Sequence, residues 1–237
     1  MFHCDKMLNN FDKISTDIDL FLENCDSLIV LGIGNDIRGD DGLGPYIINQ
    51  LSILKAYVLN NSNIDDIRQE ININQNENQD NEFEFFDNVI DINTGNTPLD
   101  EGIDSYIDKL NVDVNESLIE RMKKTFFING GSVPENFTGL IKKINPSHII
   151  IIDASLMNME AGEINIVNKD NIVDISISTH SMSLAYLIRY LELENEFNIL
   201  FIGIEPESMD LSFELSDNVK ESSNGLVKLL FDKILGI

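Results

Sequence analysis

Three residues of this sequence combine suitable side chains with suitable positions for metal chemistry: Asp41, Asp153 and His180. Asp41 follows the glycine-rich turn after an apolar run at 27–33, and Asp153 ends the apolar run at 148–153. His180 comes directly before a segment with helical periodicity. Two hard carboxylate oxygens and one imidazole nitrogen suit a divalent first-row metal with one coordination position left open. We therefore treat the three residues as candidate metal ligands.

These side chains can meet only if the segments that carry them end at one edge of a sheet. Apolar runs alternate along the chain with amphipathic segments, which predicts an α/β fold: a single three-layer domain with a twisted, mostly parallel sheet between helices. In such a sheet, ligands bind beyond the carboxyl ends of the strands, near the point where the strand order reverses. The predicted strands are 27–33, 125–130, 148–153, 162–167 and 198–204, and the predicted helices are 42–54, 134–144, 181–193 and 216–235.

Two segments fall outside this alternation. Residues 1–26 are polar and weakly helical, and we interpret them as an amino-terminal extension that packs on the domain at 27–237. The stretch at about 60–119 contains 15 acidic and 2 basic residues and almost no apolar periodicity in its first half, which indicates an acidic low-complexity insertion. Local helix is expected around 101–110 and 116–123. Removal of 62–98 should leave a folded protein.

The composition narrows the class of partner. With 16 basic and 41 acidic residues, the net charge is -25, which disfavours nucleic acid and anionic membranes as partners. No apolar run approaches the roughly 18 residues of a membrane span, and the amino terminus has no signal-peptide core. Cys4 and Cys25 are too few for a disulfide framework and read as reduced thiols of a cytoplasmic protein.

Other kinds of site fit the sequence less well. The turn at 32–37 has no third glycine for a dinucleotide motif, and Asp40 and Asp41 occupy the helix start where a pyrophosphate would bind. One of these two acids could instead cap the helix. A serine hydrolase elbow is absent, since Pro134 replaces the last glycine of the nearest candidate. His148 begins a strand and is interpreted as structural.

Five motifs together carry a family resemblance. The sequence resembles the [NiFe]-hydrogenase maturation endopeptidases, and the second and fourth motifs are most similar to those of the formate-hydrogenlyase (hydrogenase 3) type. The motifs are GIGNDIRGDDGLGP (32–45), INGGSVPEN (128–136), IIIIDAS (149–155), STHSMSL (178–184) and GIEPE (203–207). The resemblance implies a peptidase domain at 27–237 and a sheet between helix layers.

The resemblance also implies an activity and a partner. It implies that the chain removes a carboxy-terminal extension from the precursor of the hydrogenase large subunit after nickel insertion, with Asp41, Asp153 and His180 contacting the nickel. The nickel would be contributed by the precursor rather than bound permanently. It would polarise the scissile carbonyl or hold the attacking water; alternatively it only docks the substrate, and Asp41 or Asp153 is the catalytic general base.

Two other functions stay open at this point. The first is a nickel-dependent checkpoint or chaperone that binds the loaded precursor without cutting it. The second is a protease of similar fold such as the spore germination type, which the motif at 128–136 disfavours. A monomer that meets a large precursor is the expected state.

Overall fold

A computed structural model of the chain describes residues 2–60, 100–107, 109–110, 115–168, 181–193 and 197–236. The helices are α1 (Phe2–Phe21), α2 (Leu43–Asn60), α3 (Glu101–Ile107), α4 (Glu116–Lys123), α5 (Thr138–Ile144), α6 (Ser181–Glu192) and α7 (Asp217–Leu235). The strands are β1 (Leu28–Ile33), β2 (Thr125–Gly131), β3 (His148–Ala154), β4 (Ile164–Asn168) and β5 (Asn198–Ile204). Among the described helices, none has both the length and the apolar composition needed to cross a membrane.

The strands form one sheet in the order β2-β1-β3-β5-β4. The pairs β1–β2, β1–β3 and β3–β5 are parallel, and β4 joins the edge beside β5 in the antiparallel direction. The predicted α/β fold with a mostly parallel sheet is confirmed. The sequence predicted one helix over 134–144, but the chain first makes a 3-10 turn at Pro134–Phe137 and only then enters α5.

Helices cover both faces of the sheet. Alternate residues of β3 point to opposite sides, so Ile150 and Ile152 pack in a core with α1, α2, α3, α4 and α7. Ile149 and Ile151 pack on the other face against α5 and α6. Every residue of β3 is buried, which explains why this strand reads as an unbroken apolar run rather than as an alternating one.

The strand order reverses at β1. From β1 the chain passes through α2 on one face to β2, and it returns through α5 on the other face to β3, on the opposite side of β1. The carboxyl ends of β1 and β3 therefore flank the switch point, where α/β sheets place their ligands.

After the described end of α2, the chain rejoins the core within the stretch at about 60–119 that the sequence predicted as an insertion. Residues 61–99, which contain its low-complexity run, lie outside the described residues. In α3, Ile103 and Ile107 are buried in the main core. Asp100 anchors this helix, since its N–H donates to Gln50 Oε1 and its carboxylate contacts Lys220 Nζ at 2.9 Å.

The amino-terminal segment also packs on the domain. Ile14 and Ile18 of α1 are buried in the main core. The ring of Phe11 lies against Gly225 of α7, where an added Cβ would come within 2.8 Å of the ring. α1 therefore shields α7 and the adjacent edge of the sheet.

The anchor at Asp100 sets an upper limit on how much of the insertion can be removed. Asp100 lies beside Gln50, and Asn60 is about 15 Å further along α2. A direct join of residue 61 to residue 99 would supply only about 11 Å of chain between Asn60 and Asp100. We expect that an eight-residue Gly/Ser linker in place of 62–98 gives a protein whose thermal unfolding midpoint lies within about 3 °C of wild type, measured by circular dichroism. A protein that fails to fold with this linker would show that 62–98 contributes to the core.

Lys55 of α2 is buried in the core without a carboxylate among the contacts described for it. Its Nζ donates to the carbonyl of Thr125 at 2.7 Å and lies 5.8 Å from the centroid of the Phe126 ring. Burial lowers the pKa of Lys55 to about 8, because the charged ammonium loses its hydration.

This buried lysine makes stability depend on pH in a defined direction. The unfolded chain, with an ordinary lysine pKa, holds more protons than the folded one between about pH 8 and 10.5, so Lys55 makes the free energy of unfolding rise through this window. We expect the difference between wild type and Lys55→Met to move in favour of wild type by up to about 1.4 kcal/mol per pH unit. Urea unfolding of both proteins at pH 7, 8, 9 and 10 measures it. Parallel pH profiles would contradict the assignment.

Candidate active site

The glycine-rich turn folds back on the end of β1. Gly34 has a φ of +142°, and a Cβ there would lie 1.8 Å from the carbonyl oxygen of Asp41. That same carbonyl accepts the N–H of Asn35 at 3.1 Å, and the N–H of Asp41 donates to the carbonyl of Arg38 at 3.2 Å. Because only glycine permits both the backbone angle and the close approach, Gly34 is required to bring Asp41 to the end of β1.

A second pair of glycines brings α2 onto the sheet. A Cβ on Gly44 would lie 2.2 Å from the carbonyl oxygen of Ile33 and 3.0 Å from that of Ile152, and a Cβ on Gly32 would lie 2.3 Å from the carbonyl oxygen of Gly44. The first turn of α2 therefore rests on the backbone of β1 and β3. The amino terminus of α2, which favours negative charge, is thus held at the switch point.

Asp41 and Asp153 both lie at this edge. Asp41 belongs to the 3-10 turn Gly39–Gly42, which has residues within 8 Å of β3, measured between Cα atoms. Asp153 directly follows Ile152, the last residue of β3 that pairs with β1. Both side chains are 0% exposed. Two carboxylates, predicted from separate motifs, are therefore buried at one switch point.

The third predicted ligand, His180, lies outside the described residues. α6 begins at the next residue and packs on the face of the sheet that carries Ile149 and Ile151. Asp153 continues the alternation of these two residues, so its side chain belongs to the face that α6 covers. The participation of His180 stays a prediction.

Asp40, the neighbour of Asp41, has a different role. Its side chain is 1% exposed, and its carboxylate accepts the backbone N–H groups of Glu207, Ser208 and Ser216 at 2.7–2.9 Å. It also accepts the hydroxyl of Ser216 at 2.9 Å. The sequence predicted that one of the two acids could cap a helix. Instead, Asp40 joins the glycine-rich turn to the segment between β5 and α7.

Sequence reasoning did not single out Glu205 as a side chain with a role of its own. Glu205 follows β5, is 7% exposed, and accepts the N–H groups of Met157 and Met159. It therefore holds the segment that follows Asp153. The signal was present in the sequence, because an acid directly after an apolar strand is the same pattern that identified Asp153.

His148 lies at the opposite, amino-terminal edge of the sheet. Its Nδ1 is 2.9 Å from Ser147 Oγ, its Nε2 is 3.2 Å from Asn198 Nδ2, and the ring of Phe21 packs edge-on against it. Burial lowers the pKa of His148. The nearby thiol of Cys25 is half-buried, and burial raises its pKa, which disfavours the reactive thiolate. His148 and Cys25 therefore have the surroundings of structural residues rather than of reactive ones.

The donor set at the switch point suits a hard or borderline divalent metal. Asp41 and Asp153 offer carboxylate oxygens that are shielded from water. A nearby cation favours the ionised form of a buried carboxyl group. Within the part of the chain that the structure describes, which does not include His180, no three acids, histidines or cysteines form a metal cluster. A complete ligand set at this place therefore requires a ligand from beyond the described residues or from a substrate.

The two buried acids, the glycine-rich turn and the strand switch point form a candidate active site in an α/β protein, and comparison with known proteins identifies the family. The family profile HycI, described as "Hydrogenase maturation protease", matches residues 112–233. The chain belongs to the hydrogenase maturation protease family.

Individual relatives agree with this assignment. The Methanocaldococcus jannaschii protein named "Putative hydrogenase maturation protease MJ0631" is 28% identical over 213 residues, which cover 90% of this chain and 91% of that protein. The hydrogenase 3 maturation protease of Escherichia coli K12 is 34% identical over 96 residues, which cover 40% of this chain and 61% of that protein. These similarities confirm the predicted resemblance to the hydrogenase 3 type.

Solved structures show the same fold. The [NiFe] hydrogenase maturation protease HycI from Thermococcus kodakarensis KOD1 superposes with a TM-score of 0.57 at 20% identity, covering 93% of this chain and 99% of that one. The hydrogenase maturating endopeptidase HybD from E. coli superposes with a TM-score of 0.51 at 15% identity, covering 88% and 91%.

The two adjacent acids should respond to different extents to the same substitution. Asp40→Asn replaces one accepting oxygen by an NH₂ group that faces N–H and O–H donors, so we expect a loss of about 2–3 kcal/mol in the free energy of unfolding. Asp41→Asn keeps the shape of the side chain and replaces a buried carboxyl group by a neutral amide, so we expect a change within about 1 kcal/mol. Urea unfolding of both variants measures the contrast. Equal destabilisation by the two substitutions would show that Asp41 is also structural.

Proposed function

We propose that the protein is an endopeptidase that removes the carboxy-terminal extension of a [NiFe]-hydrogenase large-subunit precursor after nickel has been inserted. The observation that carries the proposal is the burial of two carboxylates, Asp41 and Asp153, at the strand switch point of a member of the maturation protease family. The names of the relatives support the precursor of a hydrogenase as the substrate.

In this proposal the nickel belongs to the substrate. Asp41 and Asp153 contact it through carboxylate oxygens and His180 through an imidazole nitrogen, and the remaining ligands are those of the precursor. Three protein ligands leave a side of the metal open, which suits an ion that arrives already bound to another protein. An incompletely loaded precursor would lack this contact and would be spared, so cleavage would follow metal insertion.

Hydrolysis of the peptide bond requires an attacking water and a group that takes its proton. The nickel, when present, supplies Lewis acidity at the scissile carbonyl or at the water. Asp41 or Asp153 takes the proton from the water and passes it to the leaving amine. Burial serves this chemistry, because exclusion of bulk water strengthens the electrostatic interactions of the carboxylates. His180 is a weaker base, since a ligating imidazole is not available to accept a proton.

Removal of any one member of this set should abolish processing. We expect Asp41→Asn, Asp153→Asn and His180→Ala each to reduce release of the carboxy-terminal peptide from nickel-loaded precursor by at least about 100-fold, because each removes a group that acts on the reacting atoms. Mass spectrometry detects the released peptide, and circular dichroism checks that each variant is folded. Precursor prepared without nickel should not be cleaved by the wild-type protein.

A matched control is Asp26→Asn, which changes an exposed acid at the amino-terminal edge of the sheet and should cleave at the wild-type rate. A variant of Asp41, Asp153 or His180 that cuts at the normal rate would remove that residue from the site. Binding of the loaded precursor by the wild-type protein without any release would contradict the peptidase and favour the non-enzymatic checkpoint.

A further inference from the structure

The segment 205–216, called here the β5–α7 loop, is fastened to the glycine-rich turn over much of its length. Besides the hydrogen bonds that Asp40 accepts from it, the N–H of Gly39 donates to the carbonyl of Ser212 at 2.8 Å. The N–H of Ser212 donates to the carbonyl of Ile37 at 3.2 Å, and the N–H of Asp40 donates to the carbonyl of Ser208 at 3.0 Å. The β5–α7 loop is therefore an integral part of the sheet edge that carries Asp41.

This fastened loop presents large apolar side chains to solvent. Leu211 and Phe213 are 84% and 85% exposed, the highest values among the exposed large apolar residues of the described chain. They flank Ser212, whose backbone bonds to Ile37, and Ile37 is itself 43% exposed. Single exposed apolar residues are common on proteins. Three on two paired segments beside a candidate active site indicate a binding surface.

The charges around these side chains restrict what can bind. The loop contains four acidic residues and no lysine or arginine. Three of the acids, Glu207, Asp210 and Glu214, are exposed. On the facing turn, Asp36 and Arg38 are exposed and offset each other's charge. A partner that places apolar side chains on Leu211 and Phe213 therefore meets a negative fringe, and lysine or arginine beside those side chains would be favourable.

We propose that Ile37, Leu211 and Phe213 form a docking surface for a segment of the large-subunit precursor in which apolar side chains are flanked by lysine or arginine. The inference rests on the proposed function, and it adds the place and the chemistry of substrate recognition outside the catalytic groups. The carboxylate of Asp40 joins the β5–α7 loop to the turn that carries Asp41. A precursor docked on the loop is therefore held at a fixed position relative to the site.

Kinetics on a cleaved precursor test the proposal. In the double variant Leu211→Ser/Phe213→Ser, we expect KM for the nickel-loaded precursor to rise at least tenfold while kcat stays within twofold, because a docking contact is equally strong in the ground state and the transition state. In Glu207→Gln/Glu214→Gln, we expect the increase of KM with added NaCl to be smaller than in wild type. The matched control is Leu20→Ser/Leu193→Ser, which removes two leucines that are 61% and 79% exposed on other parts of the chain and should leave KM unchanged.

The outcomes separate the docking surface from the peptidase activity. An unchanged KM in Leu211→Ser/Phe213→Ser, with normal cleavage, overturns the docking surface and leaves the proposed function intact. Absence of cleavage by the wild-type protein overturns the proposed function, and the docking inference falls with it. Light scattering of the purified protein tests a second copy of this chain as the occupant. A dimer that dissociates in the double variant would replace the precursor by that copy and overturn the assignment.

Discussion

The arrangement of the site depends on one buried carboxylate, that of Asp40. Its two oxygens accept hydrogen bonds from three backbone N–H groups and one hydroxyl of the segment between β5 and α7. These bonds replace the hydration that the carboxylate loses on burial, which would otherwise be costly. They also join two segments that are about 170 residues apart in the sequence. The turn that carries Asp41 is held at the sheet because of this connection.

Adjacent acids thus divide two roles between them. Asp40 directs its carboxylate towards backbone donors and stabilises the fold, whereas Asp41 lies at the switch point together with Asp153. The glycines at 32, 34 and 44 make this division possible, because side chains at these positions would separate the turn and α2 from β1 and β3. Bringing a helix terminus and a carboxylate to the same point requires three glycines, and these lose more conformational freedom on folding than other residues.

The acidic residues of the chain fall into several groups that differ in position and in contacts. One group lies in residues 61–99, which the structure does not describe. Another group surrounds the exposed apolar side chains of the β5–α7 loop. Some acids are structural. Burial acts to raise the pKa of Asp100, but its contacts with Lys220 and Asn224 lower it overall, and the same contacts hold the start of α3 against the core. The net charge of -25 therefore combines acids at 61–99, acids of the β5–α7 loop and acids with structural contacts.

The sequence by itself determined the strands, the order of the motifs and the two candidate carboxylates. Buried parallel strands must be apolar on both faces, so runs such as 148–153 are recognisable without any tertiary information, and an acid that ends such a run stands out. Only the tertiary structure decided that Asp40 is structural, that Glu205 supports the segment after Asp153, and that Ile103 and Ile107 belong to the core. Each of these facts depends on partners far away in the chain, and local periodicity contains no record of which distant N–H group or apolar face a side chain will meet.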